Sequence, residues 1–141
     1  MRALRLYSIQ KEISMNENEL SNKIIGAALE VHRVLGPGLL ESAYEASLLH
    51  ELTSLGLHVK EQVGLPLVYK ERFCEIGYRI DLLIENKVII EVKSIEAIND
   101  VHIAQVLTYL KLSGCKLGLL INFNVAMLKQ GIKRLVNHLD E

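Results

Sequence analysis

Three charged residues, Asp81, Glu91 and Lys93, stand inside two apolar runs in the segment RIDLLIENKVIIEVK. Two carboxylates that lie close together repel each other, and a divalent cation removes that repulsion. Oxygen-only ligands suit Mg²⁺ or Mn²⁺ better than Zn²⁺. An amine beside such an ion can orient or deprotonate a water, or stabilise charge that builds on a phosphate. The three residue types are therefore compatible with metal-assisted chemistry on a phosphate.

A salt-bridged cluster accounts for the same residues without any chemistry. In that interpretation Asp81 or Glu91 pairs with Lys93, or with Arg79, at the end of a strand. Short combinations of two acidic residues and a lysine occur often by chance. Residue types alone therefore do not separate the two interpretations.

Metal chemistry requires Asp81 and Glu91 to share one face of a sheet, and the register of the two strands tests this. Side chains alternate across a strand, so a one-residue change in loop length moves a whole strand face. A three-residue loop, residues 85–87, places Ile84 opposite Val88 and Asp81 opposite Glu91, with β-carbons about 5 Å apart. The same register predicts one shared apolar face, made of Tyr78, Ile80, Leu82 and Ile84 with Val88, Ile90 and Val92.

Apolar periodicity and turn residues predict the elements around these two strands. Pro66 marks the strand before them as an edge strand or a bulged one. A strand, helix and strand in succession favour a right-handed parallel crossover, so we expect a mixed α/β sheet with helices packed on it. The predicted order is helix 16–35, helix 39–55, strands 58–70, 72–84 and 87–95, helix 99–113, strand 115–123 and a closing helix 127–139.

The helix over residues 99–113 carries a second group of polar residues. His102, Gln105 and Tyr109 are spaced by three and four, which predicts one polar stripe opposite an apolar face. An amide and a phenol on this stripe could lie over the carboxylates and complete the contacts around them. Boundary residues with half-buried rings would give the same spacing, so the pattern leaves both interpretations open.

Length and composition limit the class of protein. The chain has 141 residues, 50% of them hydrophobic, which suits one domain with its own core. A net charge of −1, from 16 basic and 17 acidic residues, argues against binding duplex DNA by bulk electrostatics. Cys74 and Cys115 lack zinc-site spacing, and reduced thiols are favoured over a disulfide. We expect a cytoplasmic protein without membrane spans, with residues 1–15 as a mobile extension and residues 16–141 as the domain.

Two motifs give the chain a family resemblance. Asp81, a spacer of nine residues and then Glu91-Val92-Lys93 resemble the signature of the PD-(D/E)XK nucleases. The segment GLLESAY, residues 38–44, matches the GxxExxY motif of a small family of nuclease-fold proteins. The resemblance covers residues 17–139 and implies a restriction-endonuclease-like αβββαβ core, with extra N- and C-terminal helices.

The resemblance also implies roles for particular residues. Asp81 and Glu91 resemble the metal carboxylates, with the backbone carbonyl of Val92 as a further ligand. Lys93 resembles the catalytic lysine. The expected catalytic set is completed by an acidic residue of the first core helix and a glutamine of the later helix, Glu41 and Gln105.

The function expected from the resemblance is hydrolysis of phosphodiester bonds in DNA or RNA, with Mg²⁺ or Mn²⁺ as cofactor. A homodimer is compatible with this function, because a small domain often needs a second copy to embrace a duplex. The alternative is a catalytically silent nuclease-fold protein that binds or regulates a partner. A dinucleotide or P-loop site is excluded, because Gly36-Pro37-Gly38 joins two helices and no Walker-type lysine follows.

Overall fold

The computed structural model of the chain describes residues 15–139, without the side chains of residues 75 and 76. The predicted mobile extension therefore lies, apart from Met15, outside the described residues. Within this range the elements are α1 (Glu17–Leu35), α2 (Glu41–Ser54), β1 (Val59–Tyr69), β2 (Arg72–Ile84), β3 (Val88–Lys93), α3 (Asp100–Ser113), β4 (Leu117–Asn122), a 3-10 helix (Leu128–Gly131) and β5 (Ile132–Val136).

The described strands form one mixed sheet in the order β1-β2-β3-β4-β5. Only β3 and β4 run parallel, and α3 makes the connection between them, as the sequence predicts. The other neighbours are antiparallel. β1 lies at an edge, and its register shifts between Leu65 and Leu67, so the expectation from Pro66 is confirmed. The fold is therefore a mixed α/β sheet of the restriction-endonuclease-like kind.

Helices cover both faces of this sheet. α1 and α2 pack on one face, where their apolar residues join a core cluster with β3 and β4. α3 packs on the other face through Tyr109 and Leu110. α1 starts at Asn16, whose side-chain oxygen accepts the N–H of Glu19 at 2.8 Å. Among the described helices none is long and apolar enough to cross a bilayer.

The predicted apolar face of β2 is wrong in one respect. Leu82 and Ile84 pack with α1 and α2, as expected, but Ile80 is buried in the cluster under α3, and Tyr78 packs against that cluster. The side chains of β2 therefore switch from one face of the sheet to the other at Asp81. The pairing of β1 with β2 is interrupted at the same point, so a local irregularity in both strands explains the change.

The predicted closing helix is also wrong, because residues 132–136 form β5 instead. Ile132 and Leu135 are both half-buried and three residues apart, a spacing that a helix face and a short edge strand can share. β5 pairs antiparallel with β4, whose six residues are all buried. The unpaired edge of β4 requires a hydrogen-bonding partner, and this tertiary demand overrides the local pattern.

Gly131 offers a test of this correction. The observed chain path and a continuous closing helix predict opposite changes in stability for Gly131→Ala. A β-carbon at this position lies 2.2 Å from the carbonyl oxygen of Asn122. We expect the substitution to reduce the free energy of unfolding by about 1–3 kcal/mol, as overpacking does. In a helix the same change would raise it by about 0.5–1 kcal/mol.

Gly26→Ala is the matched control, measured by the same urea titrations. Gly26 lies inside α1, and a β-carbon there meets nothing within 4 Å. This variant should therefore be more stable than the original chain. A stabilising Gly131→Ala would contradict the close packing of Gly131 against Asn122, which leads the chain from the 3-10 helix into β5.

Candidate active site

The strands β2 and β3 separate at the position of the two carboxylates. Their pairing ends at Leu82 and Ile90. Before Leu82, β2 pairs only with β1, and beyond Ile90, β3 pairs only with β4. The loop pairs Ile84 with Val88, so the predicted three-residue register is confirmed. Asp81 and Glu91 are the first residues of the fork between the strands, and we call this place the strand fork.

Two reciprocal hydrogen bonds hold the strand fork together. Oε1 of Glu91 accepts the backbone N–H of Asp81 at 3.1 Å. Oδ2 of Asp81 accepts the backbone N–H of Val92 at 2.9 Å. Each carboxylate thus replaces the backbone carbonyl that a continued ladder would have supplied. The register that brings the apolar residues together also brings these two acids together.

Burial raises the pKa of both carboxyls. Glu91 is only 4% exposed. Its burial, followed by the negative charge of Asp81, raises its pKa to about 8. Burial also raises the pKa of the Asp81 carboxyl, although the N–H of Val92 and the charge of Lys93 oppose that rise. A nearby positive charge would therefore stabilise the ionised carboxylates of the strand fork.

Lys93 and Glu41 approach the strand fork from two directions. The positive charge of Lys93 lowers the pKa of both Asp81 and Glu91, so its ammonium group lies within electrostatic range of each. Glu41 begins α2, and its Oε1 accepts the N–H of Ser94 at 3.3 Å, directly after β3 ends. The structure thus brings Glu41 to the same end of the sheet as the predicted triad.

The loop before Glu41 is fixed by Tyr44, the last residue of the GLLESAY segment. Its ring is fully buried and stacks on Phe123 with centroids 4.5 Å apart. Its hydroxyl donates to the carbonyl of Gly36 at 2.6 Å and accepts the N–H of Leu39 at 3.1 Å. Tyr44 therefore holds the start of α2 in place beside the sheet.

An open cleft of about 590 Å³ lies in front of Asp81. Glu41, Glu45, Gln62 and Ser94 contribute to its walls. Sequence reasoning missed three of these residues, Glu45, Gln62 and Ser94. Glu45 is four residues after Glu41, a helical spacing that could have been noticed, whereas Gln62 gave no signal because it lies on a different strand.

The helix α3 meets the carboxylates through Tyr109 rather than through a polar stripe. Tyr109 is buried, and its pKa is raised first by burial and then by the charges of Glu91 and Asp81. Gln105 hydrogen-bonds the Tyr109 side chain. His102 has a different role, because its Nδ1 accepts the N–H of Asn99 at 3.0 Å and completes a capping box. Of the predicted stripe, Tyr109 lies near the carboxylates as one interpretation expected, although its ring is buried, whereas His102 serves the helix cap instead.

The donor set fits a hard divalent cation held by few protein groups. In residues 15–139 no three His, Cys, Asp or Glu side chains form a preformed cage. Mg²⁺ rarely uses such cages, because it keeps several waters and binds one or two carboxylates together with substrate phosphates. Asp81 and Glu91 offer two carboxylates whose mutual repulsion a cation would relieve.

The mixed α/β sheet presents two carboxylates at the strand fork, with a lysine within electrostatic range. The profile of the PD-(D/E)XK nuclease superfamily matches residues 18–135. The chain therefore belongs to the PD-(D/E)XK nuclease superfamily, whose members generally use divalent metals. Among curated proteins and among solved structures there is no significant match.

The raised pKa of Glu91 predicts how stability changes with pH when metal is removed by EDTA. The folded state keeps this proton up to about pH 8, whereas the unfolded chain releases it near the ordinary value of 4.5. Between these values the folded state binds more protons, so the free energy of unfolding falls as pH rises. Urea titrations should show a loss of up to a few kcal/mol, at about 1.4 kcal/mol for each unit of raised pKa.

Glu91→Gln should remove most of this pH dependence, because the amide does not titrate. Glu19→Gln is the control, since Glu19 is exposed in the first turn of α1. A Glu91→Gln protein that keeps the original slope would show that another group causes it. Asp81 contributes in the same direction, so a small residual slope is expected.

Proposed function

We propose that the protein is a metal-dependent nuclease that hydrolyses phosphodiester bonds of DNA or RNA. The observation that carries the proposal is the strand fork, where the carboxylates of Asp81 and Glu91 lie side by side and Lys93 lies within electrostatic range. Superfamily membership supports nuclease chemistry in general. The match of residues 38–44 to GxxExxY places the chain, in this proposal, in that smaller family.

The chain's residues divide into metal ligands and assisting groups. Asp81 and Glu91, with the carbonyl of Val92, would hold Mg²⁺ or Mn²⁺. When bound, such an ion lowers the pKa of a water and neutralises charge on the scissile phosphate. Glu91 must release its proton to act as a ligand, because metal ligands bind deprotonated. Lys93 orients or deprotonates the attacking water and stabilises charge on the phosphate.

Glu41 and Gln105 act at the edges of the site. Glu41 brings a third carboxylate to the cleft from α2. Gln105 acts through Tyr109, the residue that separates it from the acids. A homodimer that embraces a duplex remains a prediction, and sedimentation of the purified chain would test it.

Two substitutions test the proposed chemistry. Glu91→Ala removes a metal ligand, and Lys93→Ala removes the assisting ammonium group. Each should reduce Mg²⁺- or Mn²⁺-dependent cleavage at least ~100-fold, since positioned acid–base groups contribute on this scale. Cleavage of labelled single- and double-stranded DNA and RNA measures the effect.

Lys129→Ala is the control for these variants. Lys129 is exposed on the 3-10 helix and is not part of the cleft wall. It removes the same charge as Lys93→Ala and should leave cleavage unchanged. Equal activity in all three purified variants would show that the cleavage came from a contaminant.

A catalytically silent binding or regulatory protein is the second candidate. It is favoured by the burial of Glu91, which raises its pKa to about 8, so that the carboxyl keeps a proton at neutral pH without a metal. The near-neutral net charge of −1 also fits a protein without strong nucleic-acid affinity. This candidate makes Glu91 a buried neutral acid that holds the strand fork together.

Calorimetric titration with MgCl₂ or MnCl₂ separates the two candidates. For a nuclease we expect metal binding that releases close to one proton per ion at pH 7, because Glu91 must ionise. The proton number is obtained by repeating the titration in two buffers of different ionisation enthalpy. Glu91→Gln should abolish the binding.

The silent candidate predicts a different outcome. Millimolar metal would then give no heat beyond dilution. The free energy of unfolding of Glu91→Gln would also equal or exceed that of the original chain at pH 8, because a neutral amide replaces a buried acid.

A further inference from the structure

Gln62 occupies an unusual place in β1. Its φ is +49°, in the left-handed region that residues with a β-carbon seldom adopt. The pairing of β1 with β2 includes Glu61 with Leu82 and Val63 with Ile80 but omits Gln62. Gln62 therefore stands opposite Asp81 at the point where the faces of both strands change sides. A strained backbone of this kind persists where the surrounding structure, or a function, requires it.

The side chain of Gln62 joins two carboxylates across the cleft. Its Nε2 donates to Oε1 of Glu45 at 2.8 Å and to Oδ1 of Asp81 at 3.3 Å. An amide NH₂ carries two hydrogens and no charge, so it can serve both acids at once. Gln62 thus connects α2 to β2 at the wall of the open cleft.

The contact leaves Asp81 with a partner on each oxygen. Oδ2 accepts the N–H of Val92, and Oδ1 accepts from Gln62. A carboxylate held at both ends cannot rotate freely about its terminal bond. Each oxygen still has a second lone pair, so it can bind a cation while it is held.

We propose that Gln62 is a positioning residue, which fixes the Asp81 carboxylate and anchors it through Glu45 to the helix that also carries Glu41. The proposal rests on the proposed nuclease function for its consequence, since a fixed ligand preorganises the metal position. The geometric part stands without that function. Glu45 acts as the anchor of the amide, and Gln62 acts through Asp81.

The backbone conformation of Gln62 gives a sharp way to separate positioning from structural support. Gln62→Gly removes the amide but relieves the left-handed backbone, because glycine adopts positive φ without strain. A purely structural contact would make this variant less stable. A positioning contact at a strained site predicts an equal or higher melting temperature together with weaker activity.

Gln62→Gly should show four effects. Its melting temperature should be equal to or above that of the original chain. Its kcat for metal-dependent cleavage should fall at least tenfold, while KM changes less than threefold. Its affinity for MgCl₂, measured by calorimetry, should fall at least threefold. In its crystal structure Oδ1 of Asp81 should occupy a different position or more than one.

Gln62→Glu keeps the side-chain length but replaces the donor with a third carboxylate. We expect a larger loss of kcat than in Gln62→Gly, because repulsion displaces Asp81. The matched control is Glu71→Gly, since Glu71 is also exposed and has positive φ, 67°, but lies at the turn between β1 and β2 and not in the cleft wall. It should gain stability without any change in cleavage.

The outcomes distinguish this proposal from the proposed function. If the original chain neither cleaves nor binds metal, the nuclease proposal fails, and the crystal structure of Gln62→Gly still decides the positioning role. An Asp81 carboxylate that stays in place in that structure overturns the inference. Unchanged kcat in both Gln62 variants, with an active original chain, overturns it as well.

Discussion

The strand fork depends on a hydrogen-bonding requirement of the backbone. Where β2 leaves β3, the N–H groups of Asp81 and Val92 lose the carbonyl partners that a continued ladder would provide. An unsatisfied buried N–H costs about 1–3 kcal/mol, so the fork needs acceptors at these two points. The carboxylates of Glu91 and Asp81 supply them. Folding itself therefore brings two carboxylates close together and creates repulsion between their negative charges.

A proton or a divalent cation can relieve that repulsion, and the two compete for the carboxylates. The raised pKa of Glu91 keeps a proton in the strand fork near neutral pH. A bound divalent ion would displace this proton and stabilise both carboxylates as anions. The same geometry is therefore compatible with a stable fold without metal and, in the proposed function, with a metal-bound site. This competition is why metal binding, rather than the presence of the residues, distinguishes the two candidate functions.

The remaining elements hold the strand fork at the edge of an open cleft. α2 is fixed by the buried Tyr44, whose ring stacks on Phe123 after β4. The helix then reaches β3 through Glu41 and β1 through Glu45, so three strands and one helix meet around Asp81. α3 covers the opposite side with the buried Tyr109, which lies within electrostatic range of both acids. This frame leaves one side of the site open to solvent.

The sequence by itself determined the signature residues, the register of β2 and β3 and the parallel crossover. These follow from local rules: loop length and alternation fix which residues face each other, and apolar periodicity fixes the helices. Ile84 opposite Val88 could therefore be predicted, and Asp81 beside Glu91 with it. The resemblance to the nuclease superfamily also needed only the spacing of motifs.

Only the tertiary structure decided the closing strand, the change of faces at Asp81 and the part played by Gln62. β5 forms because buried β4 needs a partner at its edge, which no property of residues 132–136 reveals. Gln62 meets Glu45 and Asp81 because a left-handed residue interrupts β1 opposite the fork. Contacts of this kind join residues far apart in the chain. They form because neighbouring elements need hydrogen-bonding partners. Local sequence patterns do not show this need.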